Sequence, residues 1–172
     1  GALTSGNTTD DTALVLSGTN ESGSSVKVYN GSTELGSATV SGTSWSYSAT
    51  VANGTTYQFN VRETDPAGNT SAATSNLAVT GDTTAPTAPS VSGTTPTDNT
   101  TPTWNWSAGG GGNGTYRYKL DNNDLTSGAT ETTSTSYTPG SGISEASHTL
   151  YVQERDAAGN WSSSGSRTIV ID

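Results

Sequence analysis

The sequence predicts an all-β protein built from two tandem antiparallel Greek-key β-sandwich domains, and three observations lead to this fold class. Short stretches of alternating apolar and polar residues recur along the chain, separated by Gly, Asn and Ser turn signals. No window shows the 3.6-residue period of an amphipathic helix. The pattern Val-x-Glu-x-Asp-x-Ala-Gly-Asn occurs at residues 61–69 and again at residues 152–160, so one structural unit is present twice.

Six strands are predicted in the first half of the chain from this alternation. Side chains two residues apart in a strand share one face, so Tyr57, Phe59 and Val61 point to the same side. By correspondence with the second half, residues 3–6 are expected to form a further strand at the start of the domain. The six predicted strands are residues 13–17, 25–29, 34–40, 44–51, 56–63 and 74–80.

The second half repeats this scheme with a larger aromatic set. It begins with a predicted strand at residues 90–93, the equivalent of the strand expected at residues 3–6. Its apolar positions alternate with polar ones over short segments, which is typical of strands with one buried face. The predicted core residues are Val91, Trp104, Trp106, Tyr116, Tyr118, Leu120, Tyr137, Leu150, Val152, Ile169 and Ile171.

The run from Gly81 to Pro89 marks the boundary between the two halves. It holds two prolines in a short polar segment, a composition that favours a stiff connector over a flexible one. We therefore predict one domain at residues 1–82 and a second at residues 83–172, joined end to end by this linker.

The composition limits the possible functions. The 172-residue chain has 15 acidic and 6 basic residues and a formal net charge of −9, so its surface repels nucleic acids and anionic lipid. It contains no cysteine, so no disulfide stabilises it. No apolar run approaches the roughly 20 residues of a membrane-spanning helix. We expect a monomer that neither binds nucleic acid nor inserts into a membrane.

Several motifs carry a family resemblance. The first half resembles a bacterial Ig-like domain of the kind found as extender repeats in repeats-in-toxin (RTX) and biofilm-associated adhesins. The second half is similar to another Ig-like subtype of the same proteins. The motifs of the first half are residues 11–19, 26–31, 45–47 and 63–69, and those of the second are residues 101–107, 116–121 and 154–161.

This resemblance implies a specific function. The chain would be two immunoglobulin-like domains of the stalk of a large secreted adhesin at the bacterial cell surface. Such a segment projects ligand-binding domains for cell adhesion and biofilm formation. Its partners would be the neighbouring Ig-like domains of the same polypeptide.

Acidic residues are predicted to meet at the domain junction. In an Ig-type sandwich, the loop between the last two strands lies at the end where the domain begins, and the loop between the first two strands lies at the opposite end. The second domain's last loop would then face the first domain's first loop across the linker. The junctional residues are Asp10, Asp11, Asp82, Glu154, Asp156 and Asn160.

Carboxylate and amide oxygens are the ligands that Ca²⁺ prefers, so the junction is predicted to be a calcium site. The resemblance implies that such interdomain calcium makes the array rigid. Two further half-sites would face a preceding and a following domain. The first consists of Glu63, Asp65 and Asn69, and the second of Asp98, Asn99 and Asp172. In the alternative interpretation, Asp-x-Ala-Gly-Asn is only a turn, in which Asp accepts backbone hydrogen bonds.

Enzymatic chemistry is not expected. The chain has one histidine, His148, and no cysteine, so neither a Cys–His dyad nor a transition-metal site of several N or S ligands can form. The acidic pairs at the sandwich tips have no evident substrate cleft.

An alternative function is a Ca²⁺-dependent glycan- or peptide-binding module in the second domain. Trp161 follows the acidic loop directly and could stack on a sugar, aided by Tyr116 and a mobile loop at residues 109–112. In the competing interpretation, Trp161 packs across the domain junction and shields the ion.

Overall fold

The computed structural model describes residues 2–172, and every regular element in that range is a β-strand. The chain divides into two compact units, the first ending at Thr84 and the second spanning Ala85–Asp172. The sequence places the boundary two residues earlier, after Asp82. None of the described residues forms a helix that is long and apolar enough to cross a membrane.

The first unit is a sandwich of a five-stranded and a three-stranded sheet. The larger sheet has the order β1-β8-β7-β3-β4 and the smaller one the order β2-β6-β5. Strand β1 pairs in parallel with β8, and all other pairs are antiparallel. The strands are β1 (Asn7–Thr9), β2 (Ala13–Thr19), β3 (Ser25–Asn30), β4 (Thr33–Ser37), β5 (Thr39–Ser41), β6 (Ser44–Thr50), β7 (Thr56–Thr64) and β8 (Leu77–Gly81).

The core of the first unit lies between these two sheets and comes from alternate strand positions. Val26 and Val28 of β3 are buried, while Ser25 and Lys27, which alternate with them, are exposed, as a strand with one buried face requires. The main buried cluster consists of Leu14, Ala49, Val51, Phe59 and Val79.

The second unit is a sandwich of a three-stranded sheet, β13-β10-β9, and a four-stranded sheet, β12-β11-β14-β15. All of its strand pairs are antiparallel. The strands are β9 (Ser90–Ser92), β10 (Trp104–Ser107), β11 (Thr115–Leu120), β12 (Thr130–Thr132), β13 (Ser136–Tyr137), β14 (Ser147–Arg155) and β15 (Gly165–Val170).

Every core residue predicted for the second unit lies in or against its main buried cluster. Trp104 is fully buried. Its indole N–H donates to the carbonyl oxygen of Arg167 at 2.9 Å, so burial leaves no polar atom of the ring without a partner. Leu125, which the alternation does not single out, is 3% exposed.

Two strand predictions in the first unit are wrong. The strand predicted at residues 34–40 is two strands, β4 and β5, which belong to different sheets. The strand expected at residues 3–6 is absent. Instead Thr4 and Asn7 close a turn, in which the Thr4 N–H donates to Asn7 Oδ1 at 2.7 Å, and Gly6 has a φ of +94°. The first strand, β1, begins only at Asn7.

In the exposed glycine-rich segment at residues 109–112, two of the four glycines, Gly109 and Gly112, lie very close to neighbouring atoms, whereas a Cβ atom at Gly110 would meet nothing within 4 Å. A Cβ atom at Gly109 would lie 2.2 Å from the carbonyl oxygen of Ala88, and one at Gly112 would lie 2.1 Å from Cδ of Glu154. The Thr87 N–H also donates to the Gly110 carbonyl at 3.0 Å. Glycine is therefore needed here for close approach of the backbone.

The substitution Gly109→Ala is expected to lower the free energy of unfolding of the second unit by about 1–3 kcal/mol, because the added methyl group must displace backbone atoms. Calorimetric melting of the whole chain measures this loss. Gly140→Ala is the matched control, since a Cβ atom at Gly140 would meet nothing within 4 Å. Equal melting temperatures for the two variants would contradict the packing seen at Gly109.

Candidate functional site

One end of the first unit collects the acidic residues that follow strands β1 and β8. These strands are parallel, so both of them finish at the same end of the sandwich. The Asp82 N–H donates to the Thr9 carbonyl at 2.8 Å, which fixes the start of the linker beside the loop that holds Asp10 and Asp11. Both of these aspartates are exposed. Asp82 Oδ1 accepts a hydrogen bond from the Thr84 N–H at 3.0 Å.

The second unit repeats this arrangement at the equivalent end. Thr97 and Ile171 form a parallel bridge, and the Asp172 N–H donates to the Thr97 carbonyl at 3.2 Å. Asp98 directly follows Thr97, so it lies at the same end as Asp172. The Asn99 N–H donates to Thr97 Oγ1 at 3.1 Å, as the Asp11 N–H does to Thr9 Oγ1 at 3.2 Å.

The Asp-x-Ala-Gly-Asn loops lie at the other end of each unit, because each connects two antiparallel strands. In the first unit, Asp65 Oδ1 accepts from the Asn69 N–H and Asp65 Oδ2 accepts from the Asn69 side-chain amide, both at 2.8 Å. The hydrogen bonds from the side chain and backbone of Asn69 hold the pKa of Asp65 below its ordinary value. The loop is thus a closed turn in which the carboxylate is ionised and only partly buried.

The equivalent loop of the second unit has the same geometry but is more deeply buried. Asp156 is only 6% exposed. Its carboxylate accepts from the N–H groups of Gly159 and Asn160 at 2.7 and 2.9 Å, and from the Asn160 side-chain amide at 2.8 Å. Burial alone would raise the pKa of Asp156, but these hydrogen bonds lower it overall.

The two glutamates of the repeated motif differ in their surroundings. Glu63 Oε1 accepts from the Glu21 N–H at 2.6 Å and from the Ser24 hydroxyl. Glu154 is 1% exposed, and its Oε2 has no hydrogen-bond partner among the described residues. A buried carboxylate oxygen without a partner carries a large desolvation cost, which a cation or a proton would remove.

Within residues 2–172, no three His, Cys, Asp or Glu side chains lie close enough together to hold a metal ion. The structure brings Asp82 beside the Asp10–Asp11 loop, brings Asp172 beside Asp98, and closes Asn69 on Asp65 and Asn160 on Asp156. Each set offers carboxylate or amide oxygens, which are the kinds of ligand that Ca²⁺ prefers. A complete site would need ligands from a neighbouring domain, so the calcium assignment stays a prediction.

The single histidine is paired with a residue that the sequence did not single out. His148 Nδ1 lies 2.6 Å from Oδ2 of Asp121, while Oδ1 of the same aspartate accepts from the Thr149 N–H at 2.7 Å. Asp121 has a φ of +57°, a left-handed conformation that Asp adopts more readily than most residues. The hydrogen bond to Asp121 raises the pKa of His148, against the smaller opposing effect of burial.

The proposed glycan-binding residues do not form one surface. Tyr116 is 4% exposed and packs in the core, so it is not available to a ligand. Two guanidinium groups lie over the Trp161 ring, with the Cζ atoms of Arg117 and Arg155 at 4.3 and 5.4 Å from its centroid. The sequence analysis missed both arginines as partners of Trp161.

Comparison with known proteins identifies the first unit. Residues 1–83 match the sequence model of the family described as "Bacterial Ig-like domain". The first unit is a bacterial Ig-like domain. This confirms the family resemblance of the first half, and the match supports a surface extender or adhesin type of domain. No curated protein sequence matches the chain.

Solved structures confirm the all-β, Ig-like sandwich class. The chain is similar to the fibronectin(III)-like modules of CbhA from Clostridium thermocellum, with a TM-score of 0.59 and 18% identity over 98% of this chain and 90% of that one. It is also similar to domains A168–A170 of titin, with a TM-score of 0.62 and 12% identity over 99% of this chain and 61% of that one. Identities this low establish the fold alone.

The buried Asp156 turn is expected to matter more for stability than its less buried counterpart, the Asp65 turn of the bacterial Ig-like domain. Asp156→Ala leaves three donors unsatisfied in a largely buried loop, so it should lower the free energy of unfolding by about 1–3 kcal/mol. Asp65→Ala is the matched control and should cost less, because water replaces the lost bonds. Urea unfolding in EDTA measures both, and an equal or greater loss for Asp65→Ala would contradict the role of burial.

The stabilising contribution of the His148–Asp121 pair is expected to be lost at alkaline pH. Because the folded-state pKa of His148 is raised, its contribution is fully present below the unfolded-state value near 6.5 and is lost as pH rises through the folded-state pKa. Melting temperatures of the native chain, measured between pH 5 and 9, should fall as pH rises from about 6.5 through the folded-state pKa of His148. His148→Gln should remove this fall, and an unchanged pH profile in the variant would refute the assignment.

Proposed function

We propose that the chain is a Ca²⁺-rigidified extender segment of a large bacterial cell-surface adhesin, which projects ligand-binding domains for adhesion and biofilm formation. It acts outside the cell as a monomeric link, and its partners are the neighbouring Ig-like domains of the same polypeptide. The observation that carries this proposal is that each unit has carboxylates at both of its ends. A stalk built from such units needs an ion-binding group wherever two of them meet.

Charge supports a role for a cation. The first unit has seven acidic and two basic residues and the second has eight and four, so their net charges are −5 and −4, and neither balances the other. Acidic ends that approach one another repel unless a cation lies between them. Ca²⁺ takes 6–8 oxygen ligands and accepts carboxylates, amide carbonyls and water.

The residues of this chain fit such an ion in part. Glu154 supplies a buried carboxylate oxygen that has no hydrogen-bond partner among residues 2–172. Asp156 and Asp65 are held ionised by their own loops, so both keep lone pairs for a metal at neutral pH. The remaining acidic ligands would come from the opposite end of each unit. They are Asp10, Asp11 and Asp82 in the first unit, and Asp98 and Asp172 in the second.

The anchoring of the linker also supports a stiff stalk. Asn53 accepts from the Thr83 N–H at 2.9 Å and donates to Thr84 Oγ1 at 3.0 Å, so the linker begins on the first unit. The Thr87 N–H donates a hydrogen bond to the Gly110 carbonyl of the second unit. Only Ala85 and Pro86 lie between these anchors, and proline fixes its own φ.

Catalysis is not part of the proposed function. Ig-like folds are typically non-enzymatic scaffolds, and His148 is committed to Asp121. A groove of about 550 Å³ in the first unit is lined mainly by apolar residues, among them Leu14, Phe59 and Val79.

Calcium is expected to bind the purified chain with saturation, to raise its melting temperature and to restrict its maximum dimension in solution. Isothermal titration calorimetry, melting and small-angle scattering in Ca²⁺ and in EDTA measure these three effects. Asp82→Asn should weaken calcium binding at least about tenfold, because a junctional ligand loses its charge.

The matched control is Glu34→Gln, which removes one negative charge from a residue in β4 that forms an ion pair with Lys27 away from both ends. It should leave the calcium titration unchanged. The extender mechanism is refuted if calcium produces no heat and EDTA leaves both the melting temperature and the maximum dimension unaltered.

A further inference from the structure

Three of the six basic residues lie on one outward face of the second unit. Arg117 and Lys119 of β11 and Arg155 of β14 alternate with core residues, so they point away from the sandwich interior. Trp161 bridges to Arg155 as its antiparallel partner. We call Arg117, Trp161 and Arg155 the arginine–tryptophan ladder. It is a concentration of positive charge on a chain with a net charge of −9.

The ladder holds its two guanidinium groups in place. Both lie over the Trp161 ring, an arrangement favoured by the cation–π interaction. Arg117 also donates from Nε to Gln153 Oε1 at 2.7 Å, which fixes its plane and leaves its terminal nitrogens for another acceptor. Ordering these long side chains in advance lowers the entropy cost of binding a ligand.

Among residues 2–172, neither arginine of the ladder forms an ion pair. The ion pairs among residues 2–172 are Lys27–Glu34 and His148–Asp121, so no carboxylate lies within 4.0 Å of Arg117 or Arg155. Burial lowers the pKa of Arg117. Glu131, which faces Arg117 across β11 and β12, and Asp124 oppose that effect only in part. A partly desolvated guanidinium without a counterion favours the approach of an external anion.

The first unit shows that the fold does not require this ladder. Thr64 and Thr70, each 91 positions before Arg155 and Trp161, form the same antiparallel bridge through a 2.9 Å hydroxyl–hydroxyl bond. Lys27 occupies the position of Arg117 on the equivalent strand, and its charge is neutralised by Glu34 at 2.8 Å. The same position thus forms an ion pair in the first unit, whereas in the second unit the facing Glu131 forms no ion pair with Arg117.

The position of the ladder selects between classes of ligand. Strand β11 pairs with β12 and β14, and β14 pairs with β11 and β15, so neither strand that carries an arginine of the ladder has a free edge. An extended peptide could therefore gain no main-chain hydrogen bonds by adding a strand. Side chains alone must bind the ligand. Two guanidinium forks suit carboxylates, and the Gln153 amide and Tyr151 hydroxyl suit sugar hydroxyls.

We propose that the arginine–tryptophan ladder on the outer face of the second unit binds a carboxylate-bearing polysaccharide, with Arg117 and Arg155 on its uronate groups. This site differs from the glycan site expected from the sequence, because it uses neither Tyr116 nor the residues 109–112. It requires no calcium, so it stands or fails separately from the extender function.

The test is a calorimetric titration of the whole chain in EDTA with a galacturonic acid hexamer, its methyl-esterified form and poly-glutamate of equal charge. The acidic hexamer should bind with saturation, and the uncharged ester should bind at least about tenfold more weakly. Affinity should also fall between 20 and 200 mM salt, because exposed charges are screened.

The decisive variant is R155T/W161T, which gives the second unit the threonine pair that the first unit already uses at this bridge. It should fold, as shown by its melting temperature, and lose at least about tenfold in affinity for the hexamer. Arg117→Lys keeps the charge but loses the planar fork, so it should weaken binding by a smaller factor. Arg62→Gln is the control, since it removes a cation that lies over Tyr29 in the first unit.

Three results would overturn the proposal. The first is the absence of saturable binding of the acidic hexamer. The second is equal affinity in the native chain and in a folded R155T/W161T variant. The third is tighter binding of poly-glutamate than of the hexamer, which would make the ligand an acidic peptide.

Discussion

The pairing of the first and last strands fixes where each unit places its acidic residues. Strands β7 and β8, like β14 and β15, are antiparallel, so the loop between them lies at the end opposite the exit of the chain. The segment after the first turn runs parallel to the last strand, as in β1 with β8 and in the Thr97–Ile171 bridge. The loop after the first parallel segment, which holds Asp10 and Asp11 or Asp98, therefore lies at the same end of the unit as the residue where the chain exits, Asp82 or Asp172. Since the Asp-x-Ala-Gly-Asn loop lies at the other end, each unit has carboxylates at both of its ends.

A hydrophobic content of 28% is sufficient for this architecture because a strand needs apolar residues only at alternate positions. The second unit concentrates its apolar area in aromatic rings, with centroid separations of 4.9 Å for Tyr118–Tyr137 and 6.0 Å for Trp106–Tyr116. Large rings bury much surface per residue, so a unit of this size can form a core without disulfides. Because the apolar residues are used in the core, the outward faces and the loops are mostly polar, and a ligand would be bound by these polar surfaces.

Sequence reasoning succeeded where the physical cause is local and failed where it is not. Alternation identified the core set of the second unit, since burial follows the two-residue period. It could not show that residues 34–40 divide between two sheets, because both halves alternate equally well and the change of sheet depends on pairing partners. The Asp65 and Asp156 turns were foreseeable, as each bonds within five residues of chain. Asp121 with His148, and Arg117 with Trp161, are 27 and 44 positions apart and depend on strand register.

The two copies of the motif act as an internal comparison, since they share backbone geometry and differ in surroundings. Features present in both, such as the Asp–Asn turn and the Thr9 or Thr97 contact at the exit, are explained by the fold. Features present in one need another explanation. The carboxylate of Glu63 accepts hydrogen bonds from Glu21 and Ser24, whereas the buried Oε2 of Glu154, close to Gly112, has no hydrogen-bond partner in the described part of the chain. A buried carboxylate oxygen in this state costs stability unless a cation binds it. The second unit therefore differs from the first at both its acidic end and its arginine-bearing face, and these are the two places where we propose that it binds ligands.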